Sequence, residues 1–450
     1  MRTFAIAITV LGFGFAGVLP AEHAVSPSTE PAFLYTVAKR YDALAWMNGG
    51  ERFPSGSAVF ISDSSGQQEL IPSFTASADP AVSFNGNRAL FAGKSTPQDP
   101  WQIWEISLDG SDLRRITNCA QNCIRPFYLP ETRIVYAEKV NGHFVIQSTS
   151  LDGGKPLTLT YWPGNSLPTD VLRDGRVLFE SAFPSGEKGL SELYTVYSDG
   201  SGVESYRCDH GTARQSGKQI GSGDIVFAAS GGLARFTSAL AKQVQIPAPP
   251  GEYAGDVDQT SSGEWLLPWR PNRNAPYQLV QWKPGQTTLH PALKVSGSNV
   301  LEPVLAAERA VPNRHPSGLH EWTFGNLLCL TAYTSKYKFA AGSIRSVRLY
   351  TKDGSGVQIL GTAPVEADGS FFVQVPGDQP LQIELLDGTG KTLKRETGWF
   401  WLRRGEQRAC VGCHAGPETA PENAVPMILL KSTTPADMAH ASPRNSAGGQ

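Results

Sequence analysis

The sequence predicts an all-β protein, a β-propeller of six blades followed by a small antiparallel β-sandwich. Three observations carry this. Short β runs recur along the first two-thirds of the chain, as Asn87–Phe91, Thr132–Tyr136, Gly175–Phe179, Gly223–Phe227 and Gly263–Leu267, at intervals of about 40–48 residues. Several are followed by a second strand ending in Asp-Gly, at 109–110, 152–153 and 199–200. The glycine of such a turn accepts positive φ without a Cβ clash. Finally, 46 Gly and 33 Pro in 450 residues imply many turns. Blades of this length cannot bury both faces alone, so they stack in a ring.

Met1-Arg2, the apolar run Phe4 to Leu19 and then Pro20-Ala21 read as a secretory signal peptide over 1–21. The run is short for a membrane span and no later one is long enough, so no span is expected once the signal is removed. The mature chain is expected in the periplasm or outside the cell. The propeller is assigned to 30–305. Its first blade covers Phe33 to Ile71 with a turn at Asp63–Gly66, and a seventh blade near Leu301–Leu305 stays open. Cys119 and Cys123 share one short loop, and a local disulfide is expected in an oxidising compartment if the loop folds back. Cys208 and Cys329 are either buried thiols or a bridge between domains. Residues 306–324, with Pro312, Pro316 and Gly318, read as a linker. Strands and Asp-Gly turns resume in a sandwich over 325–402, whose alternation at Phe371–Val375 marks one buried face. The small, polar stretch 432–450 is expected to be a disordered tail.

The segment 403–431 holds the chemistry. Cys410-Val-Gly-Cys413-His414 has the spacing of a c-type haem attachment site: two thiols for two vinyl groups and an imidazole for the proximal side of the iron. One covalent haem c is the expected cofactor. A thioredoxin-like Cys-x-x-Cys would sit in a βαβ unit, which is missing here, and a structural zinc site would need a second Cys/His pair, which the spacing does not provide. Trp399, Phe400 and Trp401 are candidates to wall the macrocycle, and Arg403, Arg404 and Arg408 to pair with its propionates or to be solvated.

Ile359–Pro376, Leu385–Gly388 and Arg404–His414 resemble the middle domain of the hydrazine synthase alpha subunit. Ile106–Thr117 resembles the TolB-type repeat of periplasmic propellers. The first resemblance implies a propeller ahead of a haem-bearing domain. It does not carry the activity over. That subunit binds two haems and works with other subunits, whereas this chain has one Cys-x-x-Cys-His. The family's active-site haem takes a tyrosine four residues beyond the motif histidine, and Glu418 stands there in this sequence. His414 is then the axial ligand, in a single-haem relative that is not itself a hydrazine synthase.

The other side of the iron separates carrier from catalyst. Met427 is a candidate distal ligand, or packs within the strand-like run Val425–Leu430; Met438 is a further candidate. His143, His210, His290, His315 and His320 are distal candidates from the propeller and linker. Glu418 is the candidate catalytic acid or base beside an open iron, or an exposed loop residue. Net charge of −2 gives no footprint for nucleic acid. Three functions follow in order: electron transfer to a redox partner protein, oxidoreduction of a small nitrogen or oxygen species at an open haem, and a propeller scaffold with an ancillary haem.

Overall fold

In the computed structural model, residues 32–161, 163–182, 190–207, 212–413, 419 and 423–440 are described. The expected signal peptide lies outside them. The described residues form eight sheets, six of them consecutive blades. The runs that repeat in sequence are the second strands of blades two to six, Arg88–Lys94, Arg133–Val140, Val177–Ala182, Ile225–Ala229 and Trp265–Arg270. The segment left open as a seventh blade is instead the innermost strand of the first. Asn299–Leu305 pairs antiparallel with Phe33–Ala38, so the chain's two propeller ends close one sheet. Six blades is therefore the count among the described residues.

The inner strands share an irregularity that builds the propeller core. The first five blades carry a register shift in the pairing of their inner strand, and in the sixth that strand is split into Glu252–Tyr253 and Asp258–Gln259. A bulge leaves one residue out of the ladder and turns its groups aside. At Asp79, Arg125, Ser216, Asp256 and Glu302 the irregular residue takes positive φ. Carboxylates of neighbouring blades receive the freed amides. Glu302 accepts the Asp79 N–H at 2.9 Å, Asp79 accepts the Arg125 N–H at 3.0 Å, and Glu180 accepts the Ser216 N–H at 3.3 Å.

The same carboxylates hold buried arginines. Arg52 pairs with Asp79 and, at 2.8 Å, with Glu302; Arg125 reaches Asp256 at 3.2 Å and Glu302 at 3.5 Å. Two guanidinium groups face four carboxyl groups here, so full ionisation would leave excess negative charge in a dry interior. Accordingly burial and the charge of Asp79 raise Glu302, while burial and Asp256 push Glu180 up to about 7. Against the cost of its own burial, Asp79 is held below the usual carboxylate value by Arg52 and Arg125.

Beyond the propeller, residues 306–323 cross its face. The backbone N–H of Arg309 donates to Phe84, that of Asn313 donates to Arg173, and His315 stacks on Tyr197 at 3.7 Å. Two sheets then pack as a sandwich. One comprises Gly356–Pro364, Ser346–Asp353, Leu381–Leu386 and Thr392–Arg395; the other Gln407–Cys410, Phe324–Cys329, Phe371–Pro376 and Ala436–Asp437. Their facing side chains form one core that includes Leu349, Phe371, Val373 and Leu385.

The strands within 325–402 pair antiparallel as expected, and two later segments, Gln407–Cys410 and Ala436–Asp437, join them in parallel as edges of the sandwich. One expectation is corrected. Residues 432–440 are not a free tail: Ala436–Asp437 extends the sheet, and Met438, 3% exposed, fills the core against Gly361. Met438, with Ala436 and its strand pairing, anchors a segment whose composition reads as unstructured. Cys119 and Cys123 do form the expected disulfide, their Cα atoms 6.3 Å apart. Among the described residues no helix is long and apolar enough to cross a membrane.

Glu180 offers a test of the core. A carboxyl group raised in the folded state favours folding below its unfolded value of 4.5, and that contribution is lost as pH rises towards about 7. Replacing Glu180 by Gln should flatten the stability profile across that window, by up to about 1.4 kcal/mol per pH unit. Denaturant unfolding of both proteins between pH 4.5 and 7.5 checks this; parallel profiles would mean that Glu180 is charged in the fold.

Candidate functional site

The attachment motif is positioned by a turn, a strand and a loop. Arg403–Glu406 forms the turn, in which the Glu406 N–H donates to Arg403 O at 3.1 Å. Gly405 has φ +77°, and a Cβ there would sit 1.8 Å from His320 O, so both conformation and space require glycine. The strand Gln407–Cys410 follows in parallel register with Asn326–Cys329, setting Cys410 opposite Cys329. The pairing continues past it, as Leu330 and Thr331 donate to Cys410 O and Val411 O at 2.9 and 3.3 Å. The motif then turns over Gly412. A Cβ at Gly412 would meet Thr334 O at 2.1 Å and Thr331 O at 2.7 Å, so the loop lies directly on that backbone.

This route brings three thiols together. Cys410 is half-buried, Cys413 is 8% exposed, Cys329 is 2% exposed, and all three are free. Their side chains share the sandwich core. The neighbouring Cys413 thiol, and then burial, push Cys329 well above the usual thiol value. Burial likewise raises Cys410, against the pull of Arg408. Cys329 is thus a buried thiol, and the residue that sequence spacing missed. Its neighbourhood depends on which strands pair across some eighty intervening residues, which no local motif encodes. The three sulfurs do not converge as metal ligands. Among the described residues the one cluster with such spacing is Cys119, Cys123 and Glu138, whose sulfurs are already joined.

The aromatic and basic residues ahead of the motif have a different task from the expected one. Trp401 is fully buried in the propeller's main core cluster and donates from Nε1 to Gly200 O at 2.9 Å. Arg403 donates to Thr158 O at 3.2 Å and to Asp199 O, and pairs with Asp378 at 2.7 Å. Arg408 pairs with Glu406 at 2.6 Å and donates to Val203 O at 3.3 Å. Glu406 also accepts the Gly202 and Arg403 N–H groups at 3.1 and 2.7 Å. These side chains fasten the sandwich to the Asp199-Gly200 turn of the fourth blade, and their polar groups are engaged there rather than turned towards a macrocycle. Trp399 is buried and Phe400 packs between the two cores. Arg404 keeps a largely exposed side chain beside Asp378.

Beyond the motif, His414 and Glu418 lie outside the described residues, as do Cys208 and His210. The run 425–430 is not a strand: Met427–Lys431 is a short helix after Pro426. Met427 N–H donates to Asp368 at 2.7 Å and Ile428 N–H to Ser370 at 3.0 Å. Gly369, between them, accepts the Ala332 N–H at 2.8 Å. The helix and the Gly412 turn therefore rest on the same end of the sandwich. Val425 (63%), Met427 and Leu430 (72%) are exposed there, so Met427 does not pack in a core. Of the histidines proposed for the distal side, His143 begins a third-blade strand, His290 is exposed in the sixth blade, and His315 and His320 stack on Tyr197 and Trp322. A separate cavity of about 670 Å³ opens at the propeller face, lined by Phe127, Asp170, Gln219, Asp258 and Arg309; no motif cysteine lines it.

A closed six-bladed propeller joined to a sandwich that presents a Cys-x-x-Cys pair defines the class of protein. Residues 334–415 match the family described as the hydrazine synthase alpha subunit middle domain. The hydrazine synthase alpha subunit of Kuenenia stuttgartiensis is 20% identical over 82% of this chain and 64% of its own length, so the chain spans less than two-thirds of that relative. The solved Kuenenia stuttgartiensis hydrazine synthase covers 89% of this chain and 71% of its own at 17% identity, with a TM-score of 0.79. TolB from Acinetobacter baumannii covers 62% and 67% at 15% identity and a TM-score of 0.46. The chain is hydrazine synthase alpha-like in its fold and in its middle domain.

Two substitutions test the seam and the turn. Glu406→Ala leaves the largely buried Arg408 guanidinium without its carboxylate and the Gly202 and Arg403 N–H groups without their acceptor, and breaking a buried pair of this kind costs about 3–5 kcal/mol. Gly412→Ala should destabilise the sandwich, because the new methyl group overlaps the Thr334 carbonyl. Both are read by chemical denaturation, with the exposed Arg404→Ala as the near-neutral comparison.

Proposed function

We propose that the chain is an exported single-haem c-type cytochrome-like protein that passes electrons to a redox partner protein. The observation that carries this is the pair of free motif thiols, Cys410 at the end of a paired edge strand and Cys413 just past the turn that follows it. Further features fit a covalently held haem. The end of the sandwich that bears the motif also bears the exposed apolar side chains of Val425, Met427 and Leu430, and Arg404 has an exposed guanidinium for a propionate. Addition of each S–H across a vinyl double bond forms a thioether and needs no oxidant. Cys410 and Cys413 would anchor the group, His414 would hold the proximal side, and Met427 is the candidate for the distal side. Bound there, the haem would supply a one-electron iron couple.

The match of residues 334–415 to a hydrazine synthase alpha domain favours a second reading, a haem oxidoreductase acting on a small nitrogen or oxygen species, with Glu418 as acid or base. The propeller cavity leaves room for the scaffold reading, since a fold alone does not fix function.

Expression with cytochrome c maturation machinery, followed by intact mass and absorption spectra, separates these. The expected result is one covalent haem with a low-spin reduced spectrum unmoved by cyanide, and loss of that spectrum in Cys410→Ala/Cys413→Ala. A high-spin spectrum that shifts with added ligand would replace the carrier by the oxidoreductase. No haem mass under competent maturation would remove both.

A further inference from the structure

We propose that Cys329 is a covalent partner of the attachment motif: in the chain before haem is attached, Cys329 and Cys413 close a disulfide that withholds one of the two attachment thiols. Only the consequence for haem loading rests on the function proposed above; the disulfide itself does not.

The argument is one of placement. Parallel register sets Cys329 beside the motif strand, directly opposite Cys410. The turn over Gly412 lies on the Thr331–Thr334 backbone, just past the strand that carries Cys329, and Cys413 enters the same core as Cys329. Cys413 and Cys329 are both buried in the same sandwich core and are both free, and the Cys413 thiol is the chief influence on that of Cys329. Cys410 is the more exposed of the two motif cysteines. A thiol buried beside a second thiol, on backbone held by the preceding strand and turn, is better placed to bond with it than with a more exposed neighbour. The chain already closes a disulfide elsewhere, at Cys119–Cys123.

The chemistry balances with a disulfide oxidant, RSSR. The Cys413 sulfur displaces one RS group to form a mixed disulfide, and the Cys329 sulfur then displaces the second. Two S–H bonds and the oxidant's S–S bond are lost and one protein S–S bond forms. Two electrons and two protons leave in two RSH. A Cys413 sulfur held in that bond has no S–H to add across a vinyl group, so attachment would wait on reduction.

The test uses the full chain, exported without maturation machinery, equilibrated with oxidised glutathione, quenched in acid, alkylated and digested with trypsin without reduction. Cys329 lies on the peptide 315–336 and both motif cysteines on 409–431. The expected product is a cross-link of these two peptides through Cys329 and Cys413, with the alkyl group on Cys410. Cys329 found alkylated, or joined to Cys410 or Cys208, overturns the proposal. With maturation machinery present under the same oxidising conditions, Cys329→Ser should carry at least twofold more haem than the unsubstituted chain; an equal yield in two haem-bearing proteins overturns the gating role. Haem missing from both would count against the haem reading and leave the peptide result standing.

Discussion

One buried carboxylate ties the turn and strand that carry the attachment motif to the fourth blade. Glu406 receives the amide of the turn that precedes the motif strand, the amide of Gly202 in the fourth blade and the guanidinium of Arg408 in the strand itself. Each bond alone is modest, but in a water-poor seam the three are interdependent, because losing the acceptor leaves donors without partners. Arg403 works from the other side of the same turn, reaching Thr158 and Asp199 on two blades and Asp378 in the sandwich. The position of Cys410, two residues beyond Arg408, follows from this fastening.

The propeller can serve as that anchor because its own centre is locked by the same device on a larger scale. Glu302, on the closing strand, bonds to Thr36 across its own sheet and to Asp79 on the next blade, while Arg52 and Arg125 bridge onward. A blade that slipped would bare a bulged amide and a charged group together, at a cost far above that of breaking an apolar contact. Closure by Asn299–Leu305 therefore completes a sheet and the charge ring at once. It also explains why no separate seventh blade forms: the residues that would start one finish the first.

What the sequence made legible were features whose signal is local. The repeated second strands, the Asp-Gly turns, the Cys119–Cys123 loop and the alternation in Phe371–Val375 all depend on neighbours within a few residues. The resemblance of residues 359–414 to the hydrazine synthase alpha middle domain was visible in short motifs too. What escaped were features set by partners far away in the chain. Trp401, Arg403 and Arg408 look like haem neighbours because they precede Cys410, yet the propeller occupies them. Val425–Leu430 looks like a strand from its composition, yet Asp368 and Ser370 accept the first amides of a helix turn. Met438 looks like tail, yet it plugs the sandwich. The pairing of Cys329 with Cys410 is the extreme case, since it follows from a parallel register alone.

The extent of the family match gives that pairing more weight. The matched residues, 334–415, begin after the strand Phe324–Cys329 ends, so they contain the motif strand without the strand it pairs with. A four-residue edge strand has few hydrogen bonds of its own, and its register is set by its neighbour. In this chain that neighbour comes directly from the linker crossing the propeller face, and its first residue, Phe324, accepts the Gly405 N–H at 2.8 Å. The geometry of the motif is therefore a joint property of propeller, linker and sandwich. Attachment chemistry that a short motif announces is oriented by a strand outside that motif, and the third thiol belongs to that strand.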